Sequence, residues 1–210
     1  MQQIVPGVFA FTGLLMGRVY ALESTDGLAL IDAGLGLAAN KVLRQLQVSG
    51  RSPSDVKRIL ITHAHPDHIG GLAQLQAATG AQVIAHSVEW PLLLRQVSAL
   101  AHDPAARCEA QDGETLPEVL NGLHAILTPG HTLGHVCFWQ PDRRLVFCGD
   151  VMMRLPRLRL PFAAFTVDMN ENKRSIKKIA ELNADVVCFG HGQPLMRDAA
   201  SQLRAFAAKF

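Results

Sequence analysis

Residues 62–68 read "THAHPDH", directly after the short apolar run "VKRILI" at residues 56–61. His63, His65, Asp67 and His68 thus fall within six positions at the end of a strand that reads as buried. Side chains this costly to desolvate are packed together only when something binds them. A lone histidine is usually a hydrogen-bonded or surface residue, but four such groups at this spacing read as ligands. His63 and His65 flank one residue, so in an extended segment both point the same way and can grip one metal. Pro66 then bends the chain, and Asp67 and His68 can face a second metal beside the first.

Outward from this run, three further strand ends deliver the same chemistry. His131 follows "AILTPG", Asp150 follows "LVFCG" and His191 follows "VVCFG". Ligand sites in α/β folds gather at the carboxyl ends of strands, where loops meet on a rigid base. His131 can complete the first site, His191 the second, and Asp150 can bridge them. Imidazole with carboxylate suits zinc, and also iron or manganese. His135, four residues after His131, reads as a hydrogen-bond partner near the site. His86 reads as a strand end that caps a turn, and His102 and His124 as ordinary surface or packing histidines.

Turn signals divide the rest. "RVYALES" (18–24) and "LALIDAG" (28–34) form a hairpin across "TDG". Residues 37–49, 68–80, 87–97, 170–182 and 197–209 carry helical spacing. Strands are expected at 56–62, 81–86, 123–130, 135–140, 144–150 and 184–190, while 98–115 has no clear period and 151–168 is a long connection. The opening "MQQIVPGVFAFTG" reads as the first strand. Hairpins mixed with strand–helix alternation favour two mixed sheets covered by helices, a four-layer αββα sandwich, expected as one domain over 1–210.

Composition sets the outer bounds. The chain has 210 residues, 49% apolar and 18% charged, and a formal net charge of +2. A charge so small gives no field for nucleic acid, and no apolar run reaches the length of a membrane span. Cytoplasmic location, a small-molecule substrate and, from the apolar 151–168 loop, a homodimer are the resulting expectations. Of four separated cysteines, Cys137, Cys148 and Cys188 sit in apolar runs as buried thiols and Cys108 in a polar stretch.

Taken together, "THAHPDHIGG", "TPGHTLGH", "FCGD" and "FGHG", with "LALIDAG" ahead of them, resemble the metallo-β-lactamase-fold hydrolases. The blocks keep that family's order. The resemblance implies an αββα sandwich with two Zn2+ at one edge between the sheets. His63, His65 and His131 would hold the first, Asp67, His68 and His191 the second, with Asp150 bridging and Asp32 supporting the loop. It implies a metal-bridging hydroxide that attacks a carbonyl or phosphorus centre, Asp67 orienting it or passing on its proton. Gly70 and Gly71 would let the next helix pack closely, and Gly130 and Gly149 would shape turns beside ligands.

Within the resemblance, Asp150 stands where dedicated β-lactamases usually carry Cys or Ser. The 19 residues after His191 are too few for the helical domain of glyoxalase II. Met153 occupies the position of the lactonases' tyrosine, and Tyr20 is the chain's one tyrosine. The expectation is therefore a compact hydrolase of a small ester, thioester or lactone. The alternatives are a mononuclear iron sulfur dioxygenase, or lactamase or phosphodiesterase activity on the same site. Arg154, Arg157 and Arg159, alternating with leucines beside Phe162 and Phe165, are expected in the substrate wall.

Overall fold

The computed structural model describes residues 1–210. Seven strands form the first sheet in chain order: β1 (Gln2–Val5), β2 (Val8–Ala10), β3 (Tyr20–Ser24), β4 (Gly27–Ile31), β5 (Val56–Leu60), β6 (Gln82–Ala85) and β7 (Arg107–Glu109). The first four are antiparallel, and β4 to β7 run parallel. The second sheet contains β8 (Thr115–Leu116), β9 (Leu123–Leu127), β10 (Val136–Gln140), β11 (Leu145–Phe147) and, at its far edge, β14 (Val186–Cys188), which joins β11 in parallel. A short ribbon, β12 (Met153–Arg154) with β13 (Leu158–Arg159), stands apart.

Alternation along the strands explains the layering. Tyr20, Leu22, Ala29, Ile31 and Leu60 face inward and meet Val136, Phe138, Leu145, Phe147 and Cys188 of the second sheet. Their neighbours Ala21, Leu28, Leu30 and Ile59 face outward. They are covered by α1 (Ala38–Val48), α3 (Leu72–Thr79), α4 (Trp90–Gln96) and α5 (Ala99–His102), through Val42, Leu46, Leu72, Leu75, Leu93 and Leu100. On the other side Cys137, Val146 and Val187 pack under α6 (Met169–Glu181) and α7 (Ala199–Ala207) through Ile176, Ile179, Leu203 and Phe206. Strands buried on both faces read as unbroken apolar runs, which is why "RILI" and "DVVCF" carry no polar alternation. The result is the four-layer αββα sandwich with two mixed sheets.

Several elements differ from their sequence reading. The opening segment is a hairpin, not one strand, because Pro6 donates no hydrogen bond and Gly7 turns at φ +74°. The helix expected over 68–80 begins earlier, as α2 (Pro66–Ile69), since proline suits a first helical turn. Residues 98–115 hold α5 and the edge strand β7, and the 151–168 connection holds the β12–β13 ribbon; pieces this short have no readable period. No helix is long and apolar enough to cross a membrane.

Candidate metal centre

The loop after β5 is held by a carboxylate from the neighbouring strand. Asp32, just past β4 and at φ +60°, is buried. Its Oδ1 accepts the Thr62 N–H at 2.8 Å and its Oδ2 lies 2.7 Å from His68 Nδ1. The Thr62 hydroxyl has one proton, which goes to Asp32, so it accepts from His63 Nδ1 at 3.0 Å. His131 is tied in the same way. Its Nδ1 is 3.2 Å from the Thr166 hydroxyl, which donates to the Phe162 carbonyl at 2.9 Å. Each of these three rings therefore spends its Nδ1 proton on the protein and aims the Nε2 lone pair inward, the arrangement that orients a ligating imidazole.

His65 enters the same space through Nδ1, 3.1 Å from His63 Nε2 and 3.0 Å from His131 Nε2. One lone pair cannot satisfy another, so three converging imidazole nitrogens fit a shared cation. Next to them His191 Nε2 lies 3.0 Å from Asp67 Oδ2 and 3.2 Å from Asp150 Oδ2. Asp150 stands between the groups, with Oδ2 3.7 Å from His131 Nε2 and Oδ1 3.5 Å from His68 Nε2. His68 Nε2 and Asp150 Oδ1 are buried and lack any hydrogen-bond partner. Leaving such atoms unmet is costly, and the donor set around them is what zinc, iron or manganese takes. The ligand atoms of His63, His65 and His131, and those of Asp67, His68 and His191, each lie within 4.8 Å of one another. All seven residues named from sequence are thus brought together, in groups that could hold a metal ion.

The electrostatics follow from burial and the two carboxylates. Burial pushes His63, His65 and His131 down, with neighbouring imidazoles such as His68 adding to it, and His131 falls to about 4. Burial also opposes charge on His191, but the Asp150 and Asp67 carboxylates outweigh it and raise the group to about 9. His68 is raised too, Asp150 and Asp32 outweighing its burial. Asp150 resists burial with the help of His68 and His191 and stays well below the ordinary carboxylate range. The centre keeps its carboxylates ionised and His63, His65 and His131 neutral, while a bound cation would displace the protons that His68 and His191 hold.

Residues beyond the seven hold the loops in place. His135, expected near the site, accepts the Asp150 N–H at Nε2 (3.1 Å) and meets the Thr128 hydroxyl at Nδ1 (2.9 Å). Gly149 is needed beside it, since a Cβ there would come 2.5 Å from His135 Nε2. Gly70 and Gly71 do allow close packing: a Cβ would meet Gly36 N at 2.6 Å and Ala33 O at 2.5 Å. Glu89 was not legible as a site residue. It is 3% exposed and accepts from Ala64 N (2.9 Å), the Thr132 hydroxyl (2.7 Å) and Gly134 N (3.0 Å). One carboxylate therefore clamps the His63–His65 loop to the His131 loop. The only sequence signal was an acid inside the apolar stretch "VEWPLLL".

A cavity of about 1000 Å³ opens over the centre and reaches His65, Asp67, His131, Asp150 and His191. Arg154, Phe162 and Phe165 line it as expected, whereas Arg157 and Arg159 do not. Leu14–Arg18 also line it; from sequence only Arg18 falls in an expected strand and 14–17 carry no reading, their signal being an apolar run between two glycines, "GLLMG". Tyr20 stays out of the cavity, its hydroxyl spent on the Phe189 carbonyl at 2.8 Å. The four cysteines are free, with Cys108 partly buried and the other three buried.

Comparison with known proteins agrees with this geometry. A probable metallo-hydrolase of Bacillus subtilis, YflN, is 28% identical, over 90% of this chain and 85% of that protein. A hydroxyacylglutathione hydrolase of Cereibacter sphaeroides is 32% identical over 73% of this chain but only 54% of its own, so the chain spans about half the length of such relatives. A metallo-beta-lactamase family protein of Thermus thermophilus shares the fold at a TM-score of 0.79 and 24% identity, over 99% of this chain and 80% of that one. A HARLDQ-motif mutant of a Cronobacter sakazakii metallo-beta-lactamase does so at 0.70 and 28%, over 90% and 79%. Residues 12–191 match the model of the metallo-beta-lactamase superfamily. With four layers, a cluster of candidate ligands at the strand ends and that match across most of its length, the chain belongs to the metallo-beta-lactamase superfamily.

Proposed function

We propose that this chain is a dinuclear zinc-dependent hydrolase that cleaves a small ester, thioester or lactone. The observation that carries the reading is the position of Asp150, with one oxygen near His131 and the other near His68, between two groups of three ligands. His63, His65 and His131 would hold one ion and Asp67, His68 and His191 the other. When bound, such ions polarise a carbonyl and bring the pKa of water towards neutrality.

The chain's own residues supply the rest. Asp67 lines the cavity and is partly buried, with Oδ2 3.0 Å from His191 Nε2. It orients the attacking water by accepting its proton and returns that proton to the leaving group. The apolar walls exclude competing water around the acyl group. Asp67 and His191, paired at 3.0 Å, are the groups a second ion would take; with one metal they would stay an ion pair.

The test is metal content together with turnover. Two zinc ions per chain and hydrolysis within a panel of esters, thioesters, lactones and phosphodiesters are expected, both lost in His65→Ala. One iron per chain, or no turnover with both metals bound, overturns the reading.

A further inference from the structure

Resting on the hydrolase reading, we propose that the substrate is an ester or thioester with an anionic group on one side of the scissile bond and an apolar group on the other. The cavity has two chemically different ends, and each is tethered to a different side of the centre.

The cationic end adjoins His191. Arg18 N–H donates to the Gly190 carbonyl at 2.9 Å, and Arg154 N–H to the His191 carbonyl at 3.1 Å. Arg18 lies two residues before β3, which begins at Tyr20. It is half-buried, lines the cavity and has no carboxylate partner. Arg154 has none either; its Nη1 donates to the carbonyls of Gln193 (3.3 Å) and Pro194 (2.8 Å). The nearby acids, Asp67 and Asp150, are committed to the centre. Two arginines therefore line the cavity with no carboxylate partner, and a planar anion is their natural partner.

The apolar end adjoins His131. Val167 N–H donates to the His131 carbonyl at 3.1 Å and Thr166 meets the His131 ring, so the turn carrying Phe162 and Phe165 hangs beside that histidine. Phe165 and Leu15 both line the cavity and are 66% and 83% exposed. Apolar groups presented to a cavity of this size suit an alkyl or aryl body. In the reaction the water oxygen bonds the carbonyl carbon, the C–O or C–S bond breaks, and the alcohol or thiol leaves with a proton.

The experiment uses zinc-loaded full-length protein and matched thioesters. The anionic probes are the octanoyl thioester of 3-mercaptopropionate and the reversed succinyl thioester of octanethiol. The neutral probe is the octanoyl thioester of mercaptoethanol, and the short one is acetyl 3-mercaptopropionate. We expect kcat/KM for one of the two anionic octyl probes to exceed the neutral and short probes at least ten-fold. Arg18→Gln should shrink the anionic-to-neutral ratio to about two-fold, chiefly through KM, while Arg18→Lys keeps most of it and Arg95→Gln, on a remote exposed position, keeps all. Phe165→Ala should shrink the long-to-short ratio. Binding is read separately by calorimetry with uncleavable thioethers, S-octyl-3-mercaptopropionate against S-octyl-mercaptoethanol, expecting the same Arg18-dependent preference. Equal turnover or equal binding of anionic and neutral probes overturns the proposal. Selective binding without any turnover overturns the hydrolase reading instead.

Discussion

Replacing Glu89 separates a clamp from a bystander. Its carboxylate takes three donors, two of them backbone N–H groups adjoining His63, His65 and the His131 loop. Glu89→Ala strands those donors in a buried place. An unmet buried donor costs about 1–3 kcal/mol, so two N–H groups and a hydroxyl amount to roughly 3–9 kcal/mol, part of it recovered by entering water. That is a large part of the ~5–15 kcal/mol that holds a domain together. Glu89→Gln keeps one acceptor oxygen for Thr132 and Gly134 but turns an NH2 group towards Ala64 N–H, at about 2–3 kcal/mol. The loss should concentrate where the clamp acts. Zinc affinity at His63, His65 and His131 should fall about 10–100-fold, the usual effect of losing a partner behind the ligands, and affinity at Asp67, His68 and His191 should fall less. Urea denaturation and stepwise chelator competition measure both, with exposed Glu181→Gln as control. A Glu89→Ala protein whose denaturation midpoint and first-site affinity match the parent's would refute the reasoning.

Three further outcomes are expected. In Gly190→Ala the new Cβ would sit 2.1 Å from Asp150 Oδ1 and 2.7 Å from His68 Cε1; zinc content should drop by at least one ion per chain while circular dichroism stays near the parent's, and full loading would contradict the geometry. Asp32→Asn removes the charge behind His68 Nδ1, 2.7 Å away, so zinc at the His68 site should weaken about ten-fold or more while His65 and His131 hold theirs; equal weakening at both sites would count against it. The chelated protein should be most stable near pH 6.5. His131, at about 4 when folded against 6.5 unperturbed, contributes stability above 6.5 that is lost as pH falls towards 4, about 3 kcal/mol from this group alone. His191, at about 9, contributes below 6.5 and loses its share as pH rises towards 9. Thermal melts from about pH 4.5 to 9 should show that dome, and zinc should remove its alkaline limb; a flat profile would rule it out.

The local pattern of the chain was enough to name seven candidate ligands, which the structure brings together, and the layered fold. Each ligand follows an apolar run, and a strand buried on both faces announces itself by composition alone. "THAHPDH" needs no partner to be conspicuous, because its cost is borne locally. Short elements such as β7 and β12 escaped, since two or three residues show no period and are held by neighbours distant in sequence. The clamp escaped for the same reason: Glu89 bonds residues 25, 43 and 45 positions away, and only sheet packing makes them adjacent. Tautomers, charge states and the polarity of the cavity likewise belong to the tertiary structure. An imidazole's free lone pair depends on which hydroxyl or carboxylate receives its other proton, and Arg18 lines the cavity because its backbone is held beside Gly190, 172 positions away.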